Sequence, residues 1–270
     1  MHQKNKDLQK RYDGFLQTQS LWKNDIVYDL KQFEITAKSK KIDTVIDEKL
    51  RLGKYIERFV SFQISKEKDC NILLENIQIQ EDKRTLGELD CILKRNDFTI
   101  HLEIVYKFYL YDNTIGNNEI EHFIGPNRKD SLIEKLTKLK EKQLPLLYSN
   151  TCSTYLKKQK IETNIIKQQV YFKAQLFLPL NNKNMKLTTL NNDCIVGFYL
   201  NTKELKDFIN CKFYNPNKKD WLIKPHENVE WINYNDFKSL TKNYLKRKFS
   251  PLFWVKQQNG EILKCFLVWW

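Results

Sequence analysis

RTLGELDCILKRNDFTIHLEIVYKFYL, residues 84–110, reads as two β-strands joined by a tight turn at Asn96-Asp97. In the second strand Phe98, Ile100, Leu102, Ile104, Tyr106, Phe108 and Leu110 alternate with Thr99, His101, Glu103, Val105, Lys107 and Tyr109. That period of two predicts a strand buried on one side. The first strand alternates in the same way, with Gly87, Leu89, Cys91 and Leu93 set against Glu88, Asp90, Ile92 and Lys94. Asn and Asp tolerate the left-handed backbone that a two-residue hairpin turn requires. With the turn at 96–97, Leu89 faces Ile104, Cys91 faces Leu102 and Leu93 faces Ile100, so every pair on that face is apolar. A register that keeps one face apolar is the one a strand pair selects.

The same register sets Asp90 opposite Glu103. Directly opposed Cβ atoms are about 5 Å apart, and two carboxylate charges at that spacing repel by about 3 kcal/mol at an effective dielectric of 20. A raised pKa, a basic neighbour or a bound cation must relieve that. Converging carboxylates are also what Mg²⁺ takes from a protein, because the ion keeps most of its waters and draws its remaining ligands from the substrate.

The chain has 270 residues and 41% hydrophobic content, enough to bury a sizeable core, which excludes a disordered chain. A formal net charge of +13 points to an anionic partner such as nucleic acid, although the lysines are spread along the chain. The six cysteines are scattered without a CxxC pair, so no zinc framework is legible and reduced core thiols are expected. The start MHQKNKDLQKRYDG lacks the apolar core of a secretion signal, and no apolar run approaches the ~20 residues of a membrane span. A cytoplasmic location without membrane contact is the expectation.

Outward from the hairpin, residues 1–40 carry sparse apolar positions (Phe15, Leu16, Leu21, Trp22, Ile26, Val27, Leu30, Phe33) and read as an N-terminal helical extension. Residues 43–65 read as an amphipathic helix whose stripe holds Leu50, Gly53, Glu57, Val60 and Ile64. Glu57 thus stands on an apolar face, where an acid is either paired or used. NILLENIQIQ at 71–80 predicts a strand leading into the hairpin. GPNRKDSLIEKLTKLKEKQLPLL, from 125, predicts a second helix capped by Asn127 and ended by Pro145, with Gln143 on its apolar stripe. Arg128 and Lys129 then fall near the helix start, where backbone N–H groups also meet phosphate. A strand follows at 168–179. Residues 181–270 form a mixed α/β extension that ends in a hairpin turning at Asn259-Gly260.

Helix, three strands, helix, strand is the core order of the PD-(D/E)XK nuclease superfamily, and residues 41–180 resemble it. RLGKYIE at 51–57, RTLGELD at 84–90, HLEIVYKFYL at 101–110, GPNRKDSL at 125–132, KQL at 142–144 and WLIKP at 221–225 more specifically resemble domain-of-unknown-function family 1853 of bacterial proteins, which is grouped with those enzymes. The resemblance implies Asp90, Glu103 and Glu57 as ligands of Mg²⁺ or Mn²⁺ and Gln143 as an orienting residue beside the metal. It implies a metal-dependent phosphodiesterase acting on nucleic acid, DNA in the first place. The superfamily motif carries lysine at the position of Val105, and this chain departs from it. Lys107 on the same strand face or Lys54 one helical turn before Glu57 must take that role. Without either, the expectation is a protein that binds nucleic acid on the same fold and does not cut. His101, two residues before Glu103 on the same face, is read as a buried hydrogen-bonded residue or an aid to proton transfer. Lys54, Arg128 and Lys129 are the expected phosphate contacts.

Overall fold

The computed structural model describes residues 2–23, 27–36 and 39–270. Ile26, one of the apolar positions of the N-terminal segment, lies outside them. The fold is mixed α/β, with both parallel and antiparallel strand pairs. The chain divides into two compact units that interleave in sequence. One comprises residues 20–106 and 134–173; the other comprises 1–19, 107–133 and 174–270.

Helix α1 is His2–Gln17, and the two-residue strand β4 is Phe123–Ile124. In the first unit, helix α2 (Leu52–Ile64) precedes strands β1 (Cys70–Glu81), β2 (Arg84–Arg95) and β3 (Phe98–Tyr111). The strand order is β1-β2-β3-β5, with β5 at Lys167–Pro179. The predicted turn is present, with Asn96 at φ 50°. The predicted register holds through Cys91↔Leu102, Leu93↔Ile100 and Arg95↔Phe98. The one-sided burial of β3 does not hold. Ile100 to Glu103 are all buried, whereas Phe98, expected on the apolar face, is 51% exposed. A strand with neighbours in the sheet and cover on both faces loses the solvated side that alternation implies. Ile77, Ile79, Leu89 and Ile92 of the sheet pack with Leu147, Cys152, Leu156 and Ile166 in one apolar cluster. Full burial of such a side chain contributes roughly 1.5–3 kcal/mol.

Helix α2 starts at Leu52, nine residues after the predicted beginning, because the preceding residues form a turn in which Asp47 accepts the N–H of Lys49 at 2.8 Å. Arg51 is then extended, with ψ 155°. The second helix also starts late. Gly125 and Asp130 close a backbone turn at 2.7 Å, Arg128 takes a left-handed φ of 54°, and the Asn127 side-chain amide oxygen accepts from the N–H of Ser250. Helix α3 begins only at Leu132, so Asn127 caps nothing and Arg128 and Lys129 lie in the loop. From Leu139 to Gln143 the helix widens into a π-turn, closed by the Leu144 N–H on the Leu139 carbonyl at 2.9 Å. Pro145, which has no N–H to donate, follows.

In the second unit the strand order is β5-β6-β9-β8-β7, with β6 at Ile195–Asn201, β7 at Lys212–Tyr214, β8 at Leu252–Lys256 and β9 at Ile262–Val268. β5 pairs β6 and β6 pairs β9 in parallel, and β8 and β9 form the predicted final hairpin. Phe213, Phe237, Phe253 and Leu267 anchor its core. Between β6 and β7, Glu204–Phe208 forms a short 3-10 helix. Among the described residues no helix is long and apolar enough to cross a membrane.

Candidate metal centre

Asp90 sits where both strand ladders open. On the β1 side the register runs Glu75↔Cys91 and Ile77↔Leu89 and skips Asp90. On the β3 side it stops at Cys91↔Leu102. The expected backbone pairing of Asp90 with Glu103 is therefore absent, and the Asp90 carboxylate instead accepts the Ile104 N–H at 2.9 Å. Across the other ladder Asn76 has φ 54°, a left-handed conformation inside a strand. Such backbone costs of order 1–3 kcal/mol and tends to mark functional sites.

One carboxylate oxygen from each of Glu57, Glu88 and Asp90 lies within 4.8 Å of the other two. Helix α2 brings Glu57, which is 8% exposed, and alternation along β2 brings Glu88 and Asp90 to one face. The Lys54 ammonium stands among them. It donates to Glu57 at 2.9 Å, to the Asn76 side-chain carbonyl at 2.8 Å and to Glu88. Burial works against the Lys54 charge, but the bonds to Glu88 and Glu57 outweigh it and its pKa is raised. Burial also raises the Glu57 pKa, against the pull of Lys54. Asp90 is pushed up to about 8, first by burial and then by the negative charge of Glu103. The site is thus short of positive charge even with Lys54 in it.

Glu103 turns its oxygens elsewhere. It is fully buried, and its carboxylate accepts from His101 Nε2 at 3.0 Å and from the Gln143 amide at 2.5 Å. Gln143 in turn accepts from Lys135 at 2.6 Å. The π-turn aims Gln143 inward, a use to which such turns are often put. The Gln168 amide nitrogen donates to the Leu144 carbonyl at 2.6 Å and lies 3.1 Å from His101 Nδ1. A carbonyl can only accept, so the Gln168 amide nitrogen faces Leu144, and its second hydrogen serves Nδ1. His101 is therefore protonated at Nε2 and donates to Glu103.

Of the expected ligands, Glu57 and Asp90 come together. Glu103 acts on Asp90 through its charge, and its place in the oxygen cluster is taken by Glu88. Glu88 and Asn76 are the residues that motif spacing missed. The strand period already set Glu88 on the Asp90 face, two residues earlier; nothing in the sequence marks Asn76. Lys54 is at the centre. Lys107 is held by Asp130 at 2.5 Å, and Val105 is buried, 4% exposed. Arg128 is engaged by Asp112 and stacks on Trp270 with its guanidinium 4.0 Å from the ring centroid. Lys129 lies in the same loop. The donors are all hard oxygens, which suits Mg²⁺ or Mn²⁺ rather than zinc or copper.

Residues 6–268 match the family described as Domain of unknown function (DUF1853). The chain belongs to this family. The match takes in the hairpin, the carboxylate cluster and the WLIKP run alike. No curated protein and no solved structure matches the chain.

Proposed function

We propose that this DUF1853 protein is a metal-dependent phosphodiesterase of PD-(D/E)XK type, acting on nucleic acid and on DNA in the first place. The observation that carries this reading is Asp90 at the opening of both ladders, with Glu57 and Glu88 oxygens within 4.8 Å. The order of α2, β1, β2 and β3 supports it, as does the net charge of +13. A bound Mg²⁺ or Mn²⁺ supplies Lewis acidity toward a phosphoryl oxygen and lowers the pKa of its water. Asp90, Glu57 and Glu88 hold the cation. Lys54 takes the part that the motif gives to the lysine missing at Val105, neutralising charge on the phosphoryl oxygens. His101, Gln143 and Lys135 fix the Glu103 carboxylate, whose field acts on Asp90.

A second reading is a protein that binds nucleic acid without cutting it, and the buried Val105 favours it. End-labelled single- and double-stranded DNA and RNA, incubated with Mg²⁺, Mn²⁺ or EDTA beside Asp90→Asn, decide between the two. Metal-dependent cleavage that disappears in the variant is the expected result. Salt-sensitive binding with no turnover in any metal selects the second reading. Equal cleavage by both proteins overturns the assignment of Asp90.

A further inference from the structure

The WLIKP run takes no part in the carboxylate cluster, yet it builds a feature of its own. The Trp221 carbonyl accepts from Lys264 Nζ at 2.8 Å, and Gln175 Oε1 accepts from the same nitrogen at 3.0 Å. Lys264 is 4% exposed, both its acceptors are neutral, and among the described residues it pairs with no carboxylate. Burial lowers its pKa to about 7. A buried ammonium without a countercharge is costly unless an anion joins it. Of its three hydrogens two are engaged, which leaves one for a ligand.

Lys264 borders a cavity of about 270 Å³. Lys224 contributes a second cation to the wall, among the described residues no Asp or Glu borders it, and Val196, Leu222 and Ile262 make it apolar elsewhere. Lys224 and Val196 are exposed, so they mark the mouth, and Lys264 and Gln175 are buried at the inner end. Two glycines let the walls close up. A Cβ at Gly14 would stand 2.0 Å from the Leu222 carbonyl oxygen, and one at Gly197 would stand 1.9 Å from that of Lys264.

We propose that this cavity binds a small amphipathic carboxylate, its head on Lys264 and its apolar body against Val196, Leu222 and Ile262. The site lies wholly within the second unit and does not rest on the nuclease reading. Titration calorimetry of the full chain with hexanoate tests it, with hexanol as the uncharged comparison. Saturable one-to-one binding of hexanoate is expected, weakened at least about tenfold in Lys264→Met. Val196→Trp, which narrows the mouth without touching the lysine, should weaken it too. It decides the matter if Lys264→Met does not fold. No hexanoate binding by the native chain, equal binding by both variants, or hexanol bound as tightly as hexanoate overturns the proposal.

Discussion

The carboxylate of Asp90 accepts the backbone N–H of Ile104 at 2.9 Å, taking the place of a bond that the β2–β3 ladder would otherwise make. A single side chain thereby opens the sheet and keeps the hydrogen-bond account of the strand closed. The same carboxylate contributes an oxygen to the cluster with Glu57 and Glu88.

Asp90 therefore makes stability depend on pH. Its folded pKa of about 8 lies above the usual carboxylate value, so the folded chain holds a proton that the unfolded chain releases. The contribution is fully present below about pH 4 and is lost as pH rises toward 8. Urea unfolding across that range should show stability falling with pH, and Asp90→Asn should flatten the slope. Added Mg²⁺ should raise the midpoint more at pH 8 than at pH 5, since only the ionised carboxylate holds the cation. An Asp90→Asn profile identical to that of the native chain would count against the shift.

Lys54→Met removes the ammonium shared by Glu57, Glu88 and Asn76. In EDTA it should destabilise by about 1–2 kcal/mol, a value moderated by the part-exposure of the lysine. Mg²⁺ should restore more stability to the variant than to the native chain, because the cation meets no competing charge. Cleavage should fall roughly 10²–10³-fold if Lys54 stabilises the phosphoryl oxygens. Denaturation midpoints with and without metal, set beside single-turnover rates, separate the two roles.

Gln143→Leu leaves one oxygen of the buried Glu103 without its 2.5 Å donor. The cost should be about 1–3 kcal/mol. Gln143→Glu should do more damage, because it sets a second carboxylate against Glu103. A thermal melt ranking the two the other way would argue against the network drawn around Glu103.

Gly197→Ala drives a methyl into the Lys264 carbonyl oxygen, 1.9 Å from the ideal Cβ position. The obstacle is backbone, so the strands themselves must part, and a loss of about 3 kcal/mol is expected. Gly87→Ala meets only the Leu146 side-chain end at 2.7 Å, which can rotate away. Chemical denaturation should find the first substitution far costlier than the second.

Much of this arrangement was legible in the chain. Alternation and the Asn96-Asp97 turn gave the hairpin and its register, because both are local. Glu57 on one apolar helical stripe announced a buried acid, and Gln143 on another a half-buried amide. Other features depend on the third dimension. That Asp90 breaks its ladder, that Glu103 turns to His101 and Gln143, and that Lys54 rather than Lys107 enters the cluster are outcomes of side-chain competition. Spacing cannot rank such competitors. The helix starts at Leu52 and Leu132 were missed because turns held by Asp47 and by Gly125–Asp130 take up residues whose pattern is helical.

The interleaving of the two units bears on the order in which they become able to fold. The unit carrying Glu57, Glu88 and Asp90 has all its residues once position 173 has been synthesised. The other must keep residues 1–19 and 107–133 waiting until the segment 174–270 has emerged from the ribosome. At roughly 5–20 residues per second that delay lasts several seconds. During it, Leu8, Tyr12 and Phe15 of the first segment and Phe123 and Leu132 of the middle one, all buried in the folded chain, stand open to water, the kind of transient exposure that favours aggregation.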